Sequence, residues 1–137
     1  MKTIYLSLSI VLMVLIACKR ENISVESTPL LGQWGGRGIQ VVASDTQVTF
    51  EFDCAAGVIN RKVMINDNNQ FSEKGTFTVV GGNRPITAEM PKPQNVQYEA
   101  KVSGNDISLD VKSEDGKTII GSYTLSKDVY GKLFRCM

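Results

Sequence analysis

The sequence predicts an all-β domain, a small antiparallel up-and-down barrel of about eight strands closed by a disulfide. Three observations lead there. From Leu31 onward apolar residues recur at every second position, the pattern of strands that bury one face only. Short turn sequences such as Gly104-Asn105 divide these segments at hairpin spacing. Two cysteines, Cys54 and Cys136, fall where barrel closure would join them.

The expected strands cover residues 33–43, 47–54, 58–65, 70–80, 95–103, 106–113, 117–126 and 132–136. The first carries Trp34, and its Gly35-Gly36-Arg37-Gly38 run reads as a bulge that lets the strand coil. That run lacks the Gly-x-Gly-x-x-Gly spacing, and no helix follows it to hold phosphate. In the second strand Val48, Phe50 and Phe52 alternate with Thr49, Glu51 and Asp53. Glu51 and Asp53 therefore share a convex outer wall, whereas a glycosidase pair faces across a cleft. After the third strand, Asn66-Asp67-Asn68-Asn69 reads as a tight turn. It has neither the central glycine nor the terminal glutamate of a calcium loop.

Past the fourth strand, Gly81 to Asn95 holds three of the four prolines. A long stiffened loop on a small barrel is where recognition concentrates. Arg84, Pro85, Glu89, Pro91, Lys92 and Pro93 are its candidate recognition residues. For the fifth and sixth strands the register can be tested. A two-residue turn at Gly104-Asn105 pairs Val102 with Ile107, Ala100 with Leu109 and Tyr98 with Val111, which places every apolar residue on one face. It also opposes Glu99 to Asp110, a repulsion that diagonal Lys101 and Lys112 can offset. The next turn fits as a three-residue loop, Glu114-Asp115-Gly116, with Gly116 left-handed, pairing Val111 with Ile119 and Ile107 with Tyr123. Closing the eighth strand against the first then brings Cys54 and Cys136 to one rim. In an open sheet they would stand beyond the ~7 Å limit for bridged Cα atoms. A loop of that length stabilises by ~4 kcal/mol in the entropic account.

The first eighteen residues carry a different signal. A short basic start, Met1-Lys2-Thr3, precedes an apolar run from Ile4 to Ala17 that is too short to span a bilayer comfortably, which takes about 20 residues. It ends Leu15-Ile16-Ala17-Cys18 and turns polar at Lys19-Arg20-Glu21-Asn22. This resembles the lipobox of bacterial lipoproteins. The resemblance implies a signal peptide over 1–17, cleavage before Cys18, diacylglyceryl transfer to the Cys18 thiol and a lipid bilayer as partner. Lys19 is not the aspartate that retains such proteins in the inner membrane, so the expected place is the cell envelope, anchored in the outer membrane. Residues 18–30 then form the lipidated end and a flexible tether, and 31–137 the barrel domain. Asn22-Ile23-Ser24 matches a glycosylation sequon, which a bacterial lipoprotein does not normally use.

Composition narrows the chemistry. The 137 residues include 15 basic and 14 acidic side chains, three cysteines and no histidine. Without histidine the usual general base and the Ser-His and Cys-His nucleophile pairs are missing. Loss of residues 1–17 removes Lys2 and leaves the mature chain formally neutral, so no nucleic-acid partner is expected. With Cys18 committed to lipid, Cys54 and Cys136 form an even pair in a compartment that permits disulfides. No enzyme activity, metal or cofactor is expected.

Gly32-x-Trp34 resembles the Gly-x-Trp of lipocalin- and avidin-like barrels. The resemblance implies a basic residue from the last strand packed across the tryptophan, Arg135 or Lys132. Trp34-Gly35-Gly36, Glu51-Phe52-Asp53-Cys54-Ala55, Gly75-Thr76-Phe77 and Gly131-Lys132-Leu133-Phe134-Arg135-Cys136 are together similar to a group of small exported bacterial proteins. That likeness covers roughly 32–137 and implies a shared fold and cysteine pair, without an activity. The functional expectation is a non-catalytic barrel that holds a small apolar ligand, with Trp34, Tyr98, Tyr123 and Arg135 as candidate ligand residues. The interior positions are mostly large, however, which favours a filled core. The alternative is a protein-binding module, such as an anchored inhibitor of a cell-wall hydrolase or protease.

Overall fold

The computed structural model describes residues 26–81 and 89–136, and among them are ten strands and no helix. β1 (Thr28–Pro29) and β6 (Met64–Ile65) form a two-stranded ribbon. β2 (Gly32–Gly36), β3 (Ile39–Ala43), β4 (Val48–Phe52), β5 (Ala55–Ile59), β7 (Gln70–Val79), β8 (Gln94–Ser103), β9 (Asp106–Ser113) and β10 (Ile119–Lys127) close into an antiparallel barrel in that order. Closure leaves the barrel sheet itself without a free edge.

The barrel has eight strands, but three of the expected ones differ. The strand expected over 58–65 lies at 55–59, and Met64–Ile65 pair with β1 outside the barrel. Residues 33–43 are a hairpin rather than one coiled strand: Gly36 pairs with Ile39 and Trp34 with Val41 across the turn Arg37-Gly38. The alternation explains why. In a single strand Trp34 and Val41 would face opposite sides, whereas the two-residue turn puts both inward, where both are buried. At the other end, 132–136 is not a barrel strand, and only an isolated parallel bridge joins Lys132 to Arg37. Closure is made by β10 against β2, pairing Ser126 with Gly35 and Lys127 with Trp34.

The β8–β9 register is as expected, with Val102 opposite Ile107, Ala100 opposite Leu109 and Tyr98 opposite Val111. Lys112 pairs with Glu99, across the strand from Asp110, which accepts a hydrogen bond from Ser122 Oγ at 2.6 Å. β9–β10 is displaced by two residues: Val111 pairs with Gly121 and Ile107 with Leu125, with a bulge between Ile119 and Gly121. Polar contacts hold this longer loop. Ser113 N–H donates to the Thr118 carbonyl at 2.8 Å, and Asp115 accepts from Ser113 Oγ and Lys117 N–H. A two-residue shift preserves the faces past the bulge, so Leu125 remains inside, but the bulge sets Ile119 opposite Lys112 on the outer face, where it is exposed.

The ordered domain also starts earlier than residue 31. Thr28–Pro29 pair with Ile65–Met64, and Leu30 N–H donates to Val63 at 2.9 Å. Leu30 is only 2% exposed and stoppers one end of the barrel. In the middle, Phe50 and Tyr98 stack with centroids 4.2 Å apart, and Phe52 meets Phe77 at 5.3 Å. At the other mouth Phe52, Phe77 and Tyr123 border an open hollow of about 260 Å³. The central void, lined by Leu30, Trp34, Phe50, Phe71 and their neighbours, has room for about 10 Å³. That is the least space one water occupies.

Cys54 and Cys136 are joined, with Cα atoms 5.4 Å apart. Cys54 lies in the two-residue turn between β4 and β5. Cys136 reaches it because the C-terminal segment crosses the outside of the barrel, not because a last strand lies beside the first.

Candidate functional site

The four candidate ligand residues do not meet in one place. Trp34 is buried near the Leu30 end, where its Nε1–H donates to the Leu31 carbonyl at 3.1 Å. The cation over its ring is Lys127, with Nζ 5.9 Å from the centroid, and not Arg135 or Lys132. The last barrel strand ends at Lys127, and that position carries the contact. Tyr98 is fully buried, and its hydroxyl is spent on the Thr76 carbonyl at 2.7 Å. Burial, aided by Tyr123, holds the Tyr98 phenol well above its ordinary range. Gly57 makes its slot, since a Cβ there would run into the Tyr98 hydroxyl. Tyr123 is half-buried at the opposite mouth, tilted on Phe52 at 5.0 Å. Burial first, then the Asp53 carboxylate, raises its phenol. Arg135 is exposed on the C-terminal segment.

Of the candidate loop, Glu89, Pro91, Lys92 and Pro93 lie within the described residues. Lys92 and Glu89 stand 4.0 Å apart, both almost fully in solvent. Arg84, Pro85 and Cys18 lie outside the described residues.

The structure instead assembles a site on residues 128–136, which form a strap along the outer face of β2 and β3. Asp128 N–H donates to Gln33 O at 2.8 Å, and Lys132 N–H to Gly36 O at 2.9 Å. Gly38 N–H returns a bond to Lys132 O at 2.9 Å. Gln40 bridges strap and barrel: its Nε2 donates to Trp34 O at 3.2 Å, while its Oε1 accepts from Gly131 N–H. Phe134 N–H donates to Asp53 Oδ1 at 2.8 Å, and the disulfide fixes the end. Backbone lies directly on backbone. A Cβ on Gly35 would strike the Val129 carbonyl and the Gly131 nitrogen, and one on Gly131 would strike the Ile39 carbonyl.

With its backbone satisfied inward, the strap turns its apolar side chains outward. Tyr130 is 80% exposed, Phe134 68% and Val129 45%. Together with Gly35, Arg37 and Lys132 they line an open hollow of about 480 Å³ between the strap and β10. That volume lies in the range of small-ligand sites. Arg37 and Lys132 are exposed cations on its floor and rim. The set can hold an amphiphile whose apolar body lies on the aromatics and whose anionic head meets the cations. The sequence singled out Lys132, Arg135 and the cysteines and set Gly131 to Cys136 in a motif, but assigned none of them to an outer hollow. The overlooked signal was the run Val129-Tyr130-Gly131, two apolar side chains before a glycine, beyond the last alternating segment.

Among the described residues, no three His, Cys, Asp or Glu side chains gather closely enough to hold a metal ion. No protein-family model, curated protein or solved structure matches the chain.

Proposed function

We propose that the protein is a lipoprotein of a bacterial cell envelope, held in the outer membrane by acyl chains on Cys18, and that it is a non-catalytic binder of a small apolar or amphipathic molecule. The observation that carries the binding reading is the contrast between two spaces. The closed centre of the barrel leaves about 10 Å³, and its open mouth beside Tyr123, about 260 Å³, holds a carboxylate and no cation. The strap hollow offers about 480 Å³ beside exposed aromatics and two cations. The ligand therefore sits on the barrel, not in it. A rigid backing of this kind lowers the ordering cost of binding.

The test uses anilinonaphthalene sulfonate, an apolar fluorophore with an anionic group. Its emission should rise with the folded protein and fall several-fold with Tyr130→Ser plus Phe134→Ser, while Trp34 emission reports an intact fold. No enhancement, or one indifferent to both substitutions, would overturn the reading.

A second reading, a protein-binding module such as an anchored inhibitor, is favoured by Met90, 87% exposed beside Pro91 in the proline-bearing loop. Photo-crosslinking in cells separates the two. A protein adduct from position 90, with none from position 130, would support the inhibitor reading.

A further inference from the structure

We propose that the strap hollow takes the anionic phospholipids of the bilayer to which the tether holds the chain, so that the barrel lies on its side against that membrane. This rests on the amphiphile reading of the hollow and names its ligand class. Three features of the molecule converge.

The first is chemistry. Tyr130, Phe134 and Val129 project outward together, and aromatic side chains of this kind settle at the headgroup level of a membrane. The hollow itself is lined by two exposed cations, Arg37 and Lys132, and by no carboxylate, while Arg135 lies past Phe134 beside Glu51 and Asp53. Two unopposed cations beside the aromatics are complementary to anionic headgroups.

The second is rigidity. Strap bonds to Gln33, Gly36, Gln40 and Asp53, followed by the disulfide, fix the backbone that carries the exposed side chains, so contact orders little more than the side chains themselves.

The third is reach. The ordered chain enters at Thr28, and Asp128, where the strap begins, bonds Gln33 five residues later. From there the strap runs the length of β2, roughly 13 Å at strand rise. Nine residues separate Cys18 from Thr28, a contour of at most about 35 Å. The tether therefore enters against β6 at the barrel end where the strap begins, and its length permits the strap face to meet the bilayer. Anchoring and docking then act as two linked contacts, each raising the effective concentration for the other.

The experiment places tryptophan reporters on the acylated full-length protein, reconstituted in vesicles through its Cys18 lipid. Trp34 is the only native tryptophan and is buried, so its background is low. Phe134→Trp places a reporter on the strap and Met90→Trp one on the loop that precedes β8. Spin-labelled lipid in vesicles containing phosphatidylglycerol should quench the Phe134→Trp emission and spare that of Met90→Trp. Arg37→Gln and Lys132→Gln should each lower the docked fraction roughly fivefold at low salt, since one interfacial cation is worth about that factor. Equal quenching of the two reporters would overturn the proposal, as would quenching that is the same in pure phosphatidylcholine. Binding of anilinonaphthalene sulfonate in solution distinguishes the failures. If the fluorophore binds the hollow but the strap reporter is unquenched, docking is wrong and the amphiphile reading stands. If neither occurs, both fall.

Discussion

Gly57→Ala tests the packing at the centre of the barrel. A methyl at position 57 meets the Tyr98 hydroxyl head on and stands 2.9 Å from the Thr76 carbonyl. Neither neighbour can yield cheaply. Tyr98 is stacked on Phe50 at 4.2 Å and bonded to Thr76 at 2.7 Å, and Thr76 lies in the β5–β7 ladder. Overpacking of this kind costs ~1–3 kcal/mol, and a displaced buried hydroxyl adds a comparable amount, so a loss of about 3 kcal/mol is expected. Tyr98→Phe alone should cost about 1 kcal/mol for the lost hydrogen bond. The informative variant combines them. Removing the hydroxyl vacates the space the methyl needs, so the double variant should be more stable than Gly57→Ala alone by roughly 1 kcal/mol, with the Thr76 contact leaving residual strain. Urea unfolding followed by Trp34 emission measures all three. Strict additivity would refute the reasoning, because it would mean that methyl and hydroxyl never compete for the same space.

Other predictions follow from the same packing. Leu30→Ala should lose about 3 kcal/mol by unstoppering the barrel end, measured by urea unfolding; a change near zero would return residues 28–30 to the tether. Cys54→Ser should lower stability by ~4 kcal/mol for a bridge spanning 82 residues, and thiol labelling of the oxidised protein should find neither Cys54 nor Cys136 free. Alkaline pH should weaken the fold. Tyr98 ionises near 10.0 when unfolded but keeps its proton when folded, so the unfolded state binds fewer protons above that pH. Stability should then fall by up to about 1.4 kcal/mol per pH unit above 10 on account of Tyr98, a part that Tyr98→Phe removes while the contribution of Tyr123 stays. Cys18→Ser should release the protein from the membrane fraction, and unchanged fractionation would contradict the lipobox.

How far the sequence was legible depended on which physics set each element. The β8–β9 hairpin was readable because alternation and the Gly104-Asn105 turn demand the same register. At β9–β10, apolar pairing chose the faces correctly, but Asp115 and Ser113 chose the loop length, and side-chain bonds within a loop leave no periodic trace. The Arg37-Gly38 hairpin was within reach. The same register test would have put Trp34 and Val41 on one face, yet the glycines read more simply as a bulge. The strap was the least legible part. Its order comes from backbone bonds to Gly36, Gln40 and Asp53 and from glycines that permit contact, which no alternation announces. Reading 132–136 as a strand hid β10 as the closing element, and with it Lys127 as the cation on Trp34. Leu30 was missed because it follows Pro29 in a polar stretch that resembles tether.

The most direct measurement of the central claim, that binding occurs on the strap and not within the barrel, is a map of backbone amide shifts during titration with a short-chain anionic phospholipid below its micelle concentration. Saturable shifts should gather at Gly35–Arg37 and along 129–134, with Phe50, Tyr98 and Leu109 unmoved. Shifts centred on Phe50, Tyr98 and Trp34, with the strap silent, would place the ligand inside the barrel and contradict the account.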